Sequence, residues 1–519
     1  MHTPGFTALG SVLFGLLAGA SGCSLFVNAA GKECVRGECP GGMTCDEKTG
    51  ECVRATGDSS VQGDGNVGGD STTPPPGDNS GSGDTGGDPL GPQLGTPIYY
   101  SVGVSVSDLS SGGTLTLSNG TATFSDAQPA NVGVGDAITY NATSTAYIAG
   151  RISPTQYTVI TATGLTPANV SDATVDSIER TFNSLSSAMT NSGRAGYLGT
   201  TDLVSGSFQL NWVCYDDGVM DDTVDIDDYT TGADNYIRIY APKDPSEVGV
   251  SQRHTGIAGT GFRLAPTNSV STSPRFHVIQ IRDDHVRLEG LEIDGSNVTN
   301  QQDTFGINVD GSVSASADIR YSHNIVHDIT NSTVNSSASS RTIGMECSEG
   351  RCRVSNNIVY DITNVASNPT VRTRGISVSD GPSYVFNNTV FDIKNMVSTG
   401  TVAGIQVPAG PAIIRNNIVV DLGSTAGSPS CFPGSMTQSN NVSSDGTAAG
   451  AGSRTNMTDH TSYFVNTNEG AEDLHLQSDS NTLWGSNGMP LHHDPDLPIL
   501  DDIDGDPRDP IQPEIGADE

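Results

Sequence analysis

From residue 97 onward the chain is built of short runs in which apolar and polar residues alternate, separated by Gly, Asn and Asp. Residues 99–106, 114–117, 137–140 and 157–163 are early examples. Alternation with period two between turn residues predicts short strands, because successive strand side chains point to opposite faces. Residues 97–174 therefore read as a small β region, a sandwich being one arrangement. The next segment breaks the pattern. In residues 175–189, Ile178, Phe182, Leu185 and Met189 are spaced by four, three and four, which predicts an amphipathic helix. A helix at the threshold of an elongated β structure would cap its open end.

Beyond the helix the alternation becomes a repeat. SHNIVHDI (322–329), NNIVYDI (356–362), NNTVFDI (387–393), NNIVVDL (416–422) and the degraded NNVSSDG (440–446) are copies of one segment. Their second polar residues form the column Asn324, Asn357, Asn388, Asn417, Asn441, and four residues on stand Asp328, Asp361, Asp392, Asp421 and Asp445. GLEID, one copy earlier, places Gly290 and Asp294 in the same register. A second strand tracks the first, led by Gly306, Gly344, Gly375 and Gly404; in the last three copies this Gly precedes the column Asn by 13 residues. Constant spacing within a unit and variable spacing between units describe a coil with loops on one edge. Coils stacked at ~4.8 Å put like residue on like. Ile and Val then fill an interior column, and each Asn amide donates to the next. Asn and Gly also tolerate the left-handed backbone of a sharp bend.

This pattern resembles the pectate-lyase-like β-helix superfamily over residues 177–485. The resemblance implies an all-β fold: a right-handed parallel β-helix solenoid over 175–485 with its N-terminal capping helix, preceded by the small β region. The end of the chain carries a second resemblance. DLHL (473–476), DGDPR (504–508) and IGADE (515–519) look like the closing segment, here 486–519, of bacterial surface β-helix proteins with a DxDGxPR…IGAxE ending.

The first 96 residues change the picture from fold to address. An apolar run at 12–20 followed by Ala20-Ser21-Gly22-Cys23 resembles the lipobox of bacterial lipoproteins, so 1–23 is expected to be a signal peptide with Cys23 lipidated. Ser24 is not the Asp of an inner-membrane retention signal, and export to the outer membrane or cell surface is the expectation. Of nine Cys, eight remain, an even number that suits an oxidising compartment. Cys34, Cys39, Cys45 and Cys52 fit a small disulfide module over 24–55, similar to the Cys-rich modules behind the anchor of myxobacterial-type lipoproteins. Zinc is the alternative, but there is no CxxC pair and no His here. Cys347 and Cys352 are expected to bridge one loop; pairing of Cys214 with Cys431 is left open. Residues 56–96, rich in Gly, Ser, Asp and Pro, have little to bury and read as a disordered tether.

The charge is −35, from 24 basic and 59 acidic residues. Such a polyanion is excluded as a nucleic-acid binder, since phosphate contacts need clustered Lys and Arg. Candidate chemistry is sparse. Superfamily enzymes bind polysaccharide along one sheet, using Ca²⁺ with Arg or Lys as base, or paired Asp residues. The outward positions of the Gly-led strand are Asn308, Glu346, Ser377 and Gln406, one carboxylate in four. Basic candidates are Arg372, Arg374, Lys394 and His327, and Asp283-Asp284-His285 forms a charged turn. The Asp column either accepts turn N–H groups or shares Ca²⁺. Asp502, Asp504 and Asp506 resemble part of a calcium loop that lacks its twelfth-position Glu. No catalytic set stands out. The expected function is a lipid-anchored surface β-helix that presents its solenoid for polysaccharide contact or adhesion without catalysis. A polysaccharide lyase or glycoside hydrolase is the alternative, and a structural spacer the third.

Overall fold

The computed structural model describes residues 44–46, 51–53 and 95–519, apart from 106, 268–274, 299–302, 310, 333–338, 367–369, 426 and 478–486. The chain divides into two units, residues 1–86 and 87–519. In the first, strands Thr44–Asp46 and Glu51–Val53 pair antiparallel with Cys45 opposite Cys52. Cys23, Cys34, Cys39 and nearly all of the tether lie outside the described residues.

The second unit is a parallel β-helix of about six turns. Each coil visits three sheets in turn. The first sheet has nine strands, from Thr96–Val102 and Phe208–Cys214 through His285–Glu289, Asp318–Ser322 and Arg351–Ser355 to Thr437–Ser439. The second runs from Arg263–Leu264 through Glu292–Asp294, Ile325–His327, Ile358–Asn364, Thr389–Asn395 and Ile418–Ser424 to Val442–Ser443. The third has six strands, from Val224–Ile226 to Thr401–Gln406. Among the described residues no helix is long and apolar enough to cross a membrane.

The bend between the first and second sheets explains the Asn doublets. The first residue of each doublet has positive φ: His323, Asn356, Asn387, Asn416 and Asn440 lie at 52–56°. The second points inward and is fully buried. Its amide donates to the next coil: Asn324 to Asn357 (3.0 Å), Asn357 to Asn388 (2.9 Å), Asn388 to Asn417 (2.9 Å) and Asn417 to Asn441 (3.0 Å). The left-handed backbone and the ladder are thus on adjacent residues, which corrects the register of the first copy. Gly290, at φ 69°, heads the column of His323, while Leu291 pairs with the ladder by donating its N–H to Asn324 Oδ1. Asp294 accordingly stands opposite His327 and is not part of the Asp column. Asp328, Asp361, Asp392 and Asp421 form a second left-handed column, φ 51–56°. The Gly column has a packing reason: a Cβ on Gly306, Gly344 or Gly375 would lie within 2.6 Å of Cγ1 of Val326, Val359 or Val390, the inward residues of the second sheet.

Residues 114–179 form a closed antiparallel barrel of six strands with its own core, including Leu115, Ile138, Ile148, Tyr157, Val175 and Ile178. This barrel, rather than a sandwich, is inserted between the first two strands of the first sheet. Closure leaves no unpaired edge. It also overturns part of the expected helix. Residues 175–179 end the barrel strand Val170–Glu179, and helix α1 is only Leu185–Asn191, capped by the Ser184 side chain on the Ser187 N–H. Ile178 belongs to the barrel core, whereas Phe182 and Leu185 belong to the solenoid core, so the helical spacing across them is coincidental. Helix α1 does pack beside the strands Thr96–Val102 and Val224–Ile226 that begin two of the sheets. Between barrel and solenoid, Arg180 is buried with Asp136 and Asp217, each at 2.7 Å, over the Tyr215 ring.

Residues 487–519 run back along the bend, held by its outward side chains. Asn356, Asn387, Asn416 and Asn440 donate to the carbonyls of Asp501, Gly516, Met489 and Asn487, and His323 Nε2 lies 3.1 Å from Asp501. Beside Gly290, buried Arg253 takes the same role, donating to Ile503 O at 2.6 Å. The closing motif folds on itself: buried Arg508 donates to the carbonyls of Gly516 and Ala517.

Candidate anion-binding cleft

In-register parallel stacking places Arg238, Arg287, Arg320 and Arg353 in one column on the outer face of the first sheet. Like charges ~5 Å apart repel by about 0.8 kcal/mol even in water, so such a column needs partners. Arg238 forms two bonds to Glu289 (2.7 and 3.0 Å). Arg320 pairs with Asp318 at 2.7 Å. Arg353 pairs with the same Asp318 and donates to Asp496 O. Arg287 differs. It lies over the Tyr236 ring, 3.4 Å from its centre, and among the described residues it has no carboxylate partner. Burial, followed by the charge of Arg320, pushes its pKa down to about 10. The column and the segment Leu497–Asp501 form the walls of a cleft of about 330 Å³, with Ser322, His323 and Asn356 between them.

The residues singled out in the sequence lie elsewhere. Glu346 stacks on Ser377, and Ser377 on Gln406, on the third sheet, where Asn308 also lies. Glu346 is 3.5 Å from Arg341, and Arg374 donates to Ser377 Oγ; burial, partly offset by Arg341 and Arg374, raises the Glu346 pKa. Arg372 stacks on Arg341 in the same sheet. His327 and Lys394 are on the second sheet, Lys394 paired with Asp392 at 2.5 Å. Asp283 accepts the Tyr229 N–H, and Asp284 accepts the Ser314 N–H and hydroxyl, which makes that turn a brace between coils. Asp502, Asp504 and Asp506 do not converge. Asp502 Oδ1 accepts the N–H groups of Asp504, Gly505 and Asp506, and Asp504 lies 3.2 Å from His475. Cys347 and Cys352 form a disulfide, whereas Cys214 and Cys431 are buried free thiols.

The arginine column was legible once the coils are aligned on the ladder. Arg320 and Arg353 precede Asn324 and Asn357 by four residues, and Arg287 precedes Leu291 by four. A second buried ladder, in which Asn364 donates to Asn395, sits three residues after the Asp column.

No protein-family model, curated protein or solved structure matches the chain. The fold and the cleft therefore stand on the chain's own residues.

Proposed function

We propose that this chain binds an acidic polysaccharide along the arginine column of its first sheet, as a surface-presented β-helix. The observation that carries the proposal is Arg287. A half-buried guanidinium with no carboxylate partner among the described residues, flanked by three further arginines, is a concentrated positive site on a molecule of charge −35. Bidentate N–H donors in a fixed plane suit carboxylate or sulfate groups. The coil pitch of ~4.8 Å favours an extended polymer with one acid group per sugar unit, lying along the solenoid axis. The apolar wall from Leu497 to Ile499 offers a surface for sugar rings.

Binding of the full chain to a polyuronate and to a neutral glucan tests the proposal. The polyuronate should bind, with affinity falling as salt rises because exposed charges are screened. Arg287→Gln should weaken it at least tenfold, about 1.4 kcal/mol. Equal binding of both polymers, or no effect of Arg287→Gln, would refute it. We further propose that a lipid on Cys23 anchors the chain at the bacterial surface, supported by the apolar run and small residues before that Cys. Cys23→Ser should abolish incorporation of labelled fatty acid.

A further inference from the structure

A separate cleft opens on the second sheet, and its chemistry is different. Asp294 and His327 are register neighbours on adjacent strands, and Asp328 follows at the left-handed bend. One ligand atom from each of the three lies within 4.8 Å of the others. His327 Nδ1 is 2.7 Å from Asp328, and Nε2 is 3.1 Å from Glu292. Glu292 is buried and fixed by the Gly259 N–H at 2.6 Å and by Arg263 at 3.2 Å. Arg263 also pairs with Asp294. Around the imidazole, then, three carboxylates face one permanent cation.

The cleft has a volume of about 570 Å³ and is lined also by Tyr360 and Glu472. The Tyr360 ring stacks on His327, centroids 5.1 Å apart and planes 7° apart, which holds the imidazole in one orientation. Tyr360 is only 4% exposed and stands at the wall of the cleft beside His327.

We propose that Asp294, His327 and Asp328 bind a divalent transition-metal ion, with open coordination positions facing the cleft. Imidazole with two carboxylates suits the Zn²⁺ or Mn²⁺ class, since Ca²⁺ and Mg²⁺ favour all-oxygen sets. Ligands at about 2.0–2.1 Å from a tetrahedral ion lie ~3.3 Å apart, a separation that the three groups reach with small adjustments. Glu292 then accepts the Nε2–H and sets the tautomer that leaves Nδ1 free for the ion, as outer carboxylates do at histidine metal sites. Each Asp294 oxygen keeps a lone pair beyond its bond to Arg263 or to the Ser296 N–H.

Titration of the full chain with Zn²⁺ against a chromophoric chelator, and with Co²⁺ read by its visible absorption, tests the site. His327→Gln and Asp328→Asn should each weaken binding at least tenfold and alter the Co²⁺ spectrum. Asn keeps the left-handed backbone at position 328, so this variant decides if His327→Gln fails to fold. His475→Gln, in the other cluster with Asp504 and Asp518, should leave the tight site intact. No Zn²⁺ binding by the wild-type chain, unchanged affinity in Asp328→Asn, or loss of the tight site in His475→Gln overturns the proposal.

Discussion

Replacing Asn388 by Ala tests the ladder where it is most connected. The side chain is fully buried. Its Oδ1 accepts both the backbone N–H (3.1 Å) and the amide (2.9 Å) of Asn357, and its amide donates to Asn417 Oδ1, Val354 O and Phe386 O. Asn417 Oδ1 keeps the Asn388 backbone N–H at 3.0 Å in the variant, so a backbone N–H is orphaned only on the Asn357 side. That buried N–H costs about 1–3 kcal/mol, and the two amide–amide bonds, to Asn357 and to Asn417, are lost at about 1 kcal/mol each. The expected cost is about 3–5 kcal/mol. Asn388→Asp keeps the acceptor but brings a charge into a dry site and cannot donate to Asn417, so it should cost more than Ala. Asn468→Ala, at an exposed turn, should cost under about 0.5 kcal/mol. Urea denaturation of the full chain, followed by far-UV circular dichroism, measures all three. A loss below about 0.5 kcal/mol for Asn388→Ala, or Asp tolerated as well as Asn, would show that the stacked amides do not hold the coils.

Gly375→Ala should destabilise by about 1–3 kcal/mol through overpacking, because its Cβ would lie 2.5 Å from Val390 Cγ1 and 3.0 Å from Gly404 O. Adding Val390→Ala should recover part of that loss, and absence of recovery in thermal melts would mean the Val contact is not the cause. Burial, followed by Asp392 and Glu472, raises the Asp361 pKa to about 9, against ~3.9 in the unfolded chain. The stability this proton confers is fully present below ~3.9 and is lost as pH rises through about 9. Asp361→Asn, which tolerates the φ of 51°, removes that loss, so its melting temperature should gain on wild type from pH 5 to pH 9. A constant gap would remove Asp361 from the account.

The solenoid was legible because stacking forces one chemical type into each column, so Asn324 to Asn441 and Gly306 to Gly404 recur in the sequence itself. The first copy was misread by one residue because Gly was matched to the ladder, when what Gly supplies is the left-handed bend before it. The barrel at 114–179 was not legible. Antiparallel closure depends on pairings such as Thr114 with Thr174, which leave no period along the chain. The helix from 175 failed because Ile178 and Phe182 serve two different cores. The cleft was hidden for another reason. Its arginines share the register of the ladder, but its second wall comes from residues 497–501, about 150 residues from Arg353 in sequence though adjacent in space.

In a simple solenoid each coil contacts only its neighbours, so adding or removing a coil changes little but the nearest-neighbour interfaces. Here the returning tail makes that difficult. Its carbonyls at Asp501, Gly516, Met489 and Asn487 meet outward side chains on four coils, and Arg253 reaches it where Gly290 leaves room. Duplicating a coil would push every later contact one step out of alignment, and deleting one would leave tail residues with nothing to grip. The tail therefore acts as a gauge that fixes the number of coils, and the loops between the strands are where added length leaves its grip unchanged.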